Sequence, residues 1–522
     1  MKRRKVLPAA LSAVLALGAL AACSGKEEPQ AGGDNGGAAA QTKIKVALTT
    51  GGLRYVEGSS DINNDMYVKK LEELSNTDLQ IELIPHENYS QSMTLLFAGG
   101  QLPDLLQTKG INQPEVAQAV DAGVLLPLDE LIEKHAPNLK AKVPKESWES
   151  ARVSKDGKIY GIPQENPIRN GTVTYIRKDW LDKLGLDVPK TVDEYLEVMR
   201  AFRDGDPNGN GKKDEIPMSG RAKLAFAYQF FTAYGVQPQA WTYENGQLVP
   251  NFIRPAMVDA LKVYRTMYEE KLLDNEVFTL QGKDWDAKIK GQGIVGIWAT
   301  SAVTPDAVEA AIKANVPDAE VAVIPSPVGP SGKPGGVYAN GSSVSDFVWT
   351  IPKSAKDPVA VIKFLDWFYS DDKAKDTFFM YGIEGVNHTV EGNTIKYNYP
   401  ANNEQIDAQN MFQEWLHFTG GKPHLVDETF TKNKPNGEKI YNSLQVAAAE
   451  GFDNDALDMP SLPTLKTRPE LNFDGLWLDF AAKVITGKES VDKFDQFVAD
   501  WKARGGEQLI KEATEWYNAN KK

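Results

Sequence analysis

The sequence predicts an α/β protein with enough chain for two lobes. Segments with strand and helix patterns alternate from residue 43 to residue 106, and such alternation is typical of a parallel sheet flanked by helices. The chain has 522 residues, of which 42% are hydrophobic. A single core rarely organises a chain of this length, so we expect two lobes with separate cores.

Turn residues bound the first five elements. Gly51 and Gly52 follow the first strand, Pro85 follows the second strand, and Gly99 and Gly100 end the second helix. Glycine and proline are the strongest local signals for such breaks. The predicted elements are a strand at 43–48, a helix at 65–75, a strand at 79–84, a helix at 89–98 and a strand at 102–106.

The alternation continues along the chain, and helical patterns dominate from Met411 onward. Apolar residues recur at helical spacing in the segment 358–369, which predicts an amphipathic helix. We find no internal repeat. The further predicted elements are a helix at 192–203, strands at 293–300, 320–324 and 347–351, and helices at 358–369, 490–501 and 508–518.

The first 23 residues have the pattern of an export signal. A basic segment at 2–5 precedes an apolar run at 7–20, which is shorter than the ~20 residues of a membrane-spanning helix. Small residues then lead to Cys23, the only cysteine of the chain. This pattern resembles the lipobox of bacterial lipoproteins, in which the cysteine receives lipid such as palmitate and the preceding peptide is removed. An ordinary secretory signal with a chance cysteine is the alternative.

Residues 1–22 are therefore predicted to be a signal peptide, and 23–42 a lipidated cysteine with a flexible tether. Lipidation of Cys23 leaves no thiol for a disulfide. Removing the four basic residues of the signal takes the formal net charge from −13 to −17. An acidic chain argues against a nucleic-acid partner, because phosphate binding needs clustered lysine and arginine. With no second long apolar segment, we expect membrane attachment through the lipid only.

Five phrases of the sequence together carry a resemblance to a known family. The phrases are FAGGQLPD at 97–104, GVLLPL at 123–128, KDGKIYGIP at 155–163, YIRKDWL at 175–181 and KFLDWF at 363–368. In this order and spacing they resemble family 1 of the extracellular solute-binding proteins, the sugar-binding receptors of ABC importers. The longer members with a calcium loop, such as alginate-oligosaccharide binders and sugar-binding lipoproteins of Gram-positive bacteria, are the most similar. The resemblance runs from residue 43 to about residue 505.

The resemblance implies a two-lobe periplasmic-binding-protein type II fold, with discontinuous lobes joined by a hinge. It divides the chain into an N-terminal lobe, 43–165 plus 300–375, and a C-terminal lobe, 166–299 plus 376–522. It further implies a monomeric, extracytoplasmic protein, lipid-anchored to the cell membrane of a Gram-positive bacterium. Such a protein binds an oligosaccharide in the cleft and delivers it to ABC transporter permease subunits. Presentation of the ligand to a sensor kinase, and an oligopeptide or other polar solute as ligand, are alternatives.

The segment 206–215 (DPNGNGKKDE) matches the calcium-loop pattern D-x-[DN]-x-[DN]-G. Alternating oxygen donors and a glycine at the sixth position allow one short loop to surround a structural Ca²⁺ ion. Glu215 stands two residues before the usual twelfth-position glutamate, as in the calcium loops of the related sugar binders. A solvated turn is the alternative. The predicted ligands are Asp206, Asn208, Asn210, Lys212 through its carbonyl, Asp214 and Glu215.

Aromatic faces and planar polar side chains are the groups that bind carbohydrates. Trp298 ends a strand-like run where related binders place a stacking aromatic, although a core tryptophan is an equal alternative. The loop around Glu384 resembles a family loop whose glutamate faces the cleft. Asn387 in that loop stands where alginate binders often carry tryptophan, which argues against alginate itself.

Four further residues are predicted to contact the ligand. The polar segment 164–170 lies at the expected first hinge, and Gln164, Asn166 and Arg169 are its candidates for ligand contact. Tyr55, in the loop after the first strand, is another candidate. A solvated linker is the alternative reading of the hinge segment.

A secreted glycan-degrading enzyme is the rival class, and we predict no enzymatic activity. Glycosidases need two carboxylates placed across a sugar, but pairs are uninformative among 71 acidic residues. The sequence contains no G-x-S-x-G, H-E-x-x-H or Walker motif.

Overall fold

The computed structural model describes residues 41–169 and 171–520. The predicted signal peptide, Cys23 and nearly all of the predicted tether lie outside the described residues. Within the described ranges we find no helix with the length and apolar character needed to cross a membrane.

Two mixed sheets and three two-stranded ribbons make up the β-structure of the described chain. Their strands are β1 (Thr42–Thr49), β2 (Thr77–Ile84), β3 (Leu105–Thr108), β4 (Ser154–Lys155), β5 (Lys158–Ile159), β6 (Gly161–Glu165), β7 (Thr172–Arg177), β8 (Ile216–Met218), β9 (Trp241–Glu244), β10 (Gln247–Pro250), β11 (Val295–Ser301), β12 (Val321–Ile324), β13 (Val344–Thr350), β14 (His388–Glu391) and β15 (Thr394–Tyr397).

Helices surround both sheets. The longer ones are Met66–Ser75, Tyr89–Gly99, Pro114–Asp121, Asp129–His135, Lys178–Leu184, Val192–Asp204, Met257–Glu269, Pro305–Lys313, Pro358–Trp367, Lys373–Tyr381, Asn403–Asn410, Gly437–Ala449, Leu478–Ile485, Phe494–Trp501 and Glu507–Asn520. Shorter helices that matter below are Pro423–Val426 and Glu428–Lys432.

The first sheet has the strand order β2-β1-β3-β13-β6. β1 pairs in parallel with β2 and β3, and β13 joins β3 and β6 in antiparallel register. Alternating apolar residues of β1, such as Val46 and Leu48, are fully buried under the flanking helices. The strands and helices predicted between residues 43 and 106 are confirmed, with ends shifted by a few residues.

The second sheet has the order β12-β7-β11-β8. β7 lies antiparallel to both neighbours, and β8 is parallel to β11. Fully buried aromatic side chains, Trp180, Phe202 and Tyr264 among them, fill its core. The predicted strand 293–300 and helix 192–203 are confirmed as β11 and Val192–Asp204, whereas β7 and β8 were not predicted.

The predicted lobe boundaries need correction at two places. β12, assigned from sequence to the N-terminal lobe, pairs with β7 in the second sheet. Phe378, Phe412 and Phe418, assigned to the C-terminal lobe, are buried in the core of the first sheet. Burial of an apolar helix face is satisfied by either sheet, so its sequence does not specify which lobe it covers.

The links between the lobes run side by side. The Asn166 amide, after β6, donates to the Ser343 carbonyl at 2.9 Å, and the Gly341 amide donates to the Arg169 carbonyl at 2.9 Å. The Asn340 amide in turn donates to the Phe452 carbonyl at 2.8 Å. Backbone bonds therefore connect three segments at the hinge, beside the edge where the strands of the first sheet end.

Candidate functional site

A cavity of about 430 Å³ opens at the hinge-side edge of the first sheet. Thr49 ends β1, Gln107 lies near the end of β3, and Gln164 lies near the end of β6. The antiparallel β13 begins at the same edge and supplies Ser345 and Phe347. Convergence of strand ends is the usual origin of ligand sites in open α/β sheets, and the volume falls within the range of such sites.

Two aromatic side chains line this cavity. Trp415 is half-buried, and its indole Nε1 donates to the Thr49 carbonyl at 2.8 Å. Gly51, at φ +63°, allows the close turn beside this indole. Phe347 is half-buried on the β13 side of the cavity. Aromatic faces with one anchored edge suit the apolar face of a sugar ring.

Amide side chains are held in place around these rings. Gln164 donates through Nε2 to the His417 carbonyl, and its Oε1 accepts from the Ser345 hydroxyl at 2.9 Å. Gln107 accepts through Oε1 from the Thr49 amide at 3.0 Å. These bonds fix the orientation of planar polar groups, which are the usual partners of ligand hydroxyls in such pockets.

The charged groups of the cavity compensate each other. Glu414 forms an ion pair with Lys422 and lies 3.2 Å from His424 Nε2 through its other oxygen. Burial, followed by the charges of Lys434 and Lys422, lowers the pKa of His424 to about 3. The imidazole is therefore neutral at physiological pH, and the Glu414–Lys422 pair carries no net charge.

A half-buried carboxyl lies next to the cavity. Glu165, the last residue of β6, packs near Gly421 and Tyr369. Burial raises the pKa of Glu165 to about 7. Its protonation state therefore changes close to neutral pH, beside the links between the lobes.

Among the predicted ligand residues, Gln164 is the one that the structure places in this cavity. Asn166 and Arg169 bond within the hinge instead. Asn166 Oδ1 accepts from the Ile168 amide at 3.2 Å, and Arg169 Nε donates to the Gly341 carbonyl at 3.0 Å. Arg169 also lines a second cavity, of about 330 Å³, next to the helix Gly437–Ala449.

Trp298 lies in the core of the second lobe. Its side chain is 1% exposed and stacks on Tyr175, with ring centroids 5.8 Å apart. The prediction that this indole contacts a ligand is corrected by its burial, because β11 turns the residue toward the helices that cover the sheet. Trp298 is a core tryptophan within β11.

Glu384, Asn387 and Tyr55 lie outside the lining of the 430 Å³ cavity in the described structure. Asn387 Oδ1 accepts from the Ile383 amide at 3.0 Å, and its Nδ2 donates to the Tyr67 hydroxyl at 3.0 Å. The first bond stabilises the loop of Asn387, and the second bond attaches that loop to Tyr67. Tyr55 donates to Asp65 at 2.9 Å. Glu384 is exposed on the same loop as Asn387.

Sequence reasoning missed Trp415, Phe347 and Gln107. Gln107 could have been found, because it follows a predicted strand of the first sheet. Phe347 opened a predicted strand but gave no sign that it faces a cavity. Trp415 lies in a stretch whose only visible signal was helical spacing, and that signal does not show which end of the sheet the residue reaches.

The predicted calcium loop folds as a tight polar coil. Gly209 and Gly211 have φ near +70°. Asp206 accepts from the amides of Asn210 and Gly211, both at 3.1 Å. The side-chain amides of Asn208 and Asn210 donate to Asp214 Oδ1 at 2.9 and 3.0 Å. The oxygen-bearing side chains thus surround the inside of one loop.

Glu215 is the unusual member of this loop. Both of its carboxylate oxygens are buried without a hydrogen-bond partner among the described residues. Burial, and the negative charges of Asp214 and Asp206, raise the pKa of this carboxyl. In the described chain no three histidine, cysteine, aspartate or glutamate side chains converge in a metal-binding arrangement. The loop therefore offers oxygen donors and an uncompensated carboxylate, as a Ca²⁺ site requires, but no preformed acidic triad.

The sequence is similar to bacterial receptors. The model of the family described as bacterial extracellular solute-binding protein matches residues 65–375. The chain is 28% identical over 97% of its length to the polygalacturonan/rhamnogalacturonan-binding protein YtcQ of Bacillus subtilis, covering 98% of that protein. It is 24% identical over 99% of its length to lipoprotein LipO of Bacillus subtilis, covering 99% of that chain.

Solved structures share the fold, each at 20% sequence identity. An HMO-binding ABC-transporter-associated solute-binding protein from Bifidobacterium longum infantis superposes with a TM-score of 0.68, over 92% of this chain and 100% of the other. The alginate-binding protein AlgQ2, determined without calcium ion, gives 0.60 over 91% and 98%. An EF-hand mutant of FusA from Streptococcus pneumoniae, in complex with fructo-nystose, gives 0.61 over 91% and 99%. The described chain has the two-lobe fold of these proteins.

Proposed function

Because this chain belongs to the bacterial extracellular solute-binding protein family, we propose that it captures an oligosaccharide between its lobes and delivers it to the permease of an ABC transporter. The names of several relatives contain a glycan, including polygalacturonan and fructo-oligosaccharide. Those names describe the relatives. For this chain the proposal depends on the chemistry of its own cavity.

The observation that carries the proposal is the combination of Trp415 and Phe347 with anchored amides at the converging strand ends. Aromatic faces bury the apolar side of a sugar, and amides such as Gln107 and Gln164 exchange hydrogen bonds with its hydroxyls. An extended peptide would instead need backbone groups or a free sheet edge for pairing. The strands of the first sheet meet this cavity at their ends, and the edge strand β6 contributes Gln164 near its last residue.

The test is calorimetric titration of the purified protein with oligosaccharides and with a peptide pool. We expect a binding isotherm with at least one glycan, and a loss of affinity of at least about tenfold in Trp415→Ala, since tenfold corresponds to 1.4 kcal/mol. Trp516→Ala, on the C-terminal helix, is the matched control and should bind as the parent does. Binding of peptides alone would replace this proposal by the oligopeptide-receptor alternative.

We infer that the protein binds its glycan without cleaving it. The family and the named relatives are binding proteins. Incubation of the protein with each bound oligosaccharide should leave the chain-length distribution unchanged by chromatography. Release of shorter products would make the glycan-degrading alternative the better one.

We also propose that Cys23 carries a lipid that holds the body at the outer face of the cell membrane of a Gram-positive bacterium. Support comes from the lipobox pattern and from a relative that is named a lipoprotein. Cys23→Ser should move the protein from the membrane pellet to the medium. Retention in the pellet would contradict lipid anchoring.

The loop 206–215 is proposed to hold a structural Ca²⁺ ion. The observation that supports it is Glu215, whose buried oxygens lack partners in the described chain. The side-chain oxygens of Asp206, Asn208, Asn210, Asp214 and Glu215, with the Lys212 carbonyl, would form its oxygen shell. The ion would neutralise the clustered carboxylates and tie the loop to the start of β8.

A further inference from the structure

We propose that the cavity selects neutral sugar units over uronate units. This inference rests on the proposed oligosaccharide binding and names the chemical class of its ligand. The geometry behind it is a lining in which one cation and one carboxylate already form a pair, and in which the other groups are uncharged. The relative YtcQ is named for an acidic polymer, so the inference separates this chain from that relative.

Lys422 is the cation of the lining, and its ammonium group forms an ion pair with Glu414. The two side chains are 21% and 33% exposed, so their attraction is only partly screened by water. His424, on the other oxygen of Glu414, is buried and adds no positive charge at neutral pH. Arg54, next to the lining residue Leu53, lies 3.0 Å from Asp407. Each of these cations therefore has an acidic partner within the protein.

A uronate unit would bring one carboxylate for each ring. Burial of a carboxylate is costly unless a cation or several donors compensate it, and arginine forks or uncompensated lysines usually do so. A uronate placed at Lys422 must compete with Glu414 for the same ammonium group. A neutral ring meets no such competition and uses the faces of Trp415 and Phe347 together with the neighbouring amides.

The other groups of the lining agree with this selection. They are hydroxyl, amide, apolar and aromatic groups: Thr49, Gly51, Leu53, Gln107, Gln164, Ser345, Phe347, Asn410 and Trp415. Such a set bonds hydroxyls as donors and acceptors but offers a carboxylate no further charge. The selectivity therefore arises from the Glu414–Lys422 pair, which makes the inference testable at one residue.

The experiment measures affinity of the full-length protein for matched neutral and acidic oligomers, for example galactose and galacturonate trisaccharides, with neutral fructo- and xylo-oligosaccharides alongside. We expect at least one neutral series to bind ten times or more tightly than any uronate series at low salt. Glu414→Gln removes the competing carboxylate, so its affinity for galacturonate trisaccharide should rise about tenfold or more, and the gain should fall with added salt. Glu507→Gln, an exposed change of the same charge in the C-terminal helix, should leave uronate affinity unchanged.

The outcomes separate this inference from the proposed function. Uronates that bind the parent protein as tightly as neutral sugars, or more tightly, would overturn the selectivity and leave oligosaccharide binding intact. A parent protein that binds no oligosaccharide of either kind would overturn both. If Glu414→Gln does not fold, the comparison of matched ligands on the parent protein still decides the matter.

Discussion

Trp415 has two separable roles at the cavity, an aromatic face and an anchored edge. The edge role is the hydrogen bond from Nε1 to the Thr49 carbonyl. Trp415→Phe keeps an apolar ring and loses that hydrogen bond, which contributes about 1 kcal/mol to the stability of this arrangement. We therefore expect a smaller loss of glycan affinity in Trp415→Phe than in Trp415→Ala, measured by calorimetric titration. Equal losses in the two variants would show that the anchored edge, not the ring face, determines affinity.

Glu450 connects a helix of the second lobe to the start of a link between the lobes. It is 4% exposed and accepts hydrogen bonds from the Ser326 amide and from the Ser326 hydroxyl, the latter at 2.8 Å. Burial raises its pKa from 4.5 to about 7. The folded state therefore binds this proton more tightly than the unfolded chain does, and its stabilising effect is complete below about pH 4.5.

That contribution to the free energy of unfolding is lost as the pH rises through about 7. Glu450→Gln keeps the shape and one acceptor but carries no charge. We expect the fall in melting temperature from pH 5 to pH 8 to be smaller in Glu450→Gln than in the parent protein. Glu438→Gln, in the same helix but exposed, should follow the parent curve. Parallel curves for all three proteins would contradict the raised pKa.

Single residues were the hardest feature to predict from sequence. Gln164 was predicted from the polar segment that follows Pro163, and it lines the cavity at the end of β6, while its contact with a ligand stays a prediction. Trp298 was misplaced because the pattern of a strand cannot tell which face of its sheet is covered by helices. Asn387 and Tyr55 were chosen for their loops, and the structure uses their polar atoms to bond within the first lobe.

At the scale of elements, local signals located the amphipathic strands and helices. Alternating apolar residues, glycine stops and helical spacing located β1, β2 and the helices Tyr89–Gly99 and Pro358–Trp367 to within a few residues. Short strands such as β7 and β8 escaped, because buried strands lack the alternation that a half-exposed strand shows. Apolar spacing located the helices because it shows which helix face is buried. It does not show which sheet that face covers, so the assignment of helices to lobes failed.

The loop 206–215 gives a prediction at this scale. If Ca²⁺ completes the shell around Glu215, added calcium should raise the melting temperature and a chelator should lower it, by the linkage between binding and folding. Asp214→Ala removes one predicted ligand, so its melting temperature should respond weakly or not at all to calcium. Asp318→Ala, an exposed aspartate elsewhere, should respond as the parent does. A parent melt that is insensitive to both additions would contradict the site.

At the scale of the molecule, the two lobes are connected by more than their chain links. Asp458 lies in a segment whose neighbours Ala456 and Leu462 belong to the core of the second lobe. Its carboxylate accepts from the Ser150 hydroxyl of the first lobe at 2.5 Å and from the Ser342 hydroxyl of a link at 3.1 Å. Arg152 of the first lobe lies 3.7 Å from its other oxygen. One carboxylate therefore joins both lobes and a link.

The backbone of Asp458 is left-handed, with φ +65°, a conformation that aspartate adopts more readily than most residues other than glycine. Its carbonyl accepts from the side-chain amide of Asn112 of the first lobe at 3.4 Å. The main chain and the side chain of Asp458 therefore both contact that lobe.

Loss of this carboxylate should therefore weaken the connection between lobes. We expect Asp458→Ala to lower the free energy of unfolding by roughly 2 to 4 kcal/mol, because it removes hydrogen bonds to a charged group and leaves Arg152 without this ion pair. The measurement is the melting temperature by calorimetry, with Asp453→Ala as the control. Asp453 is exposed and bonds only to the neighbouring link residue Asn340, at 3.3 Å, among the contacts described. Equal melting temperatures for the two variants would mean that the Asp458 carboxylate does not hold the lobes together, since the variants differ chiefly in contact with the first lobe.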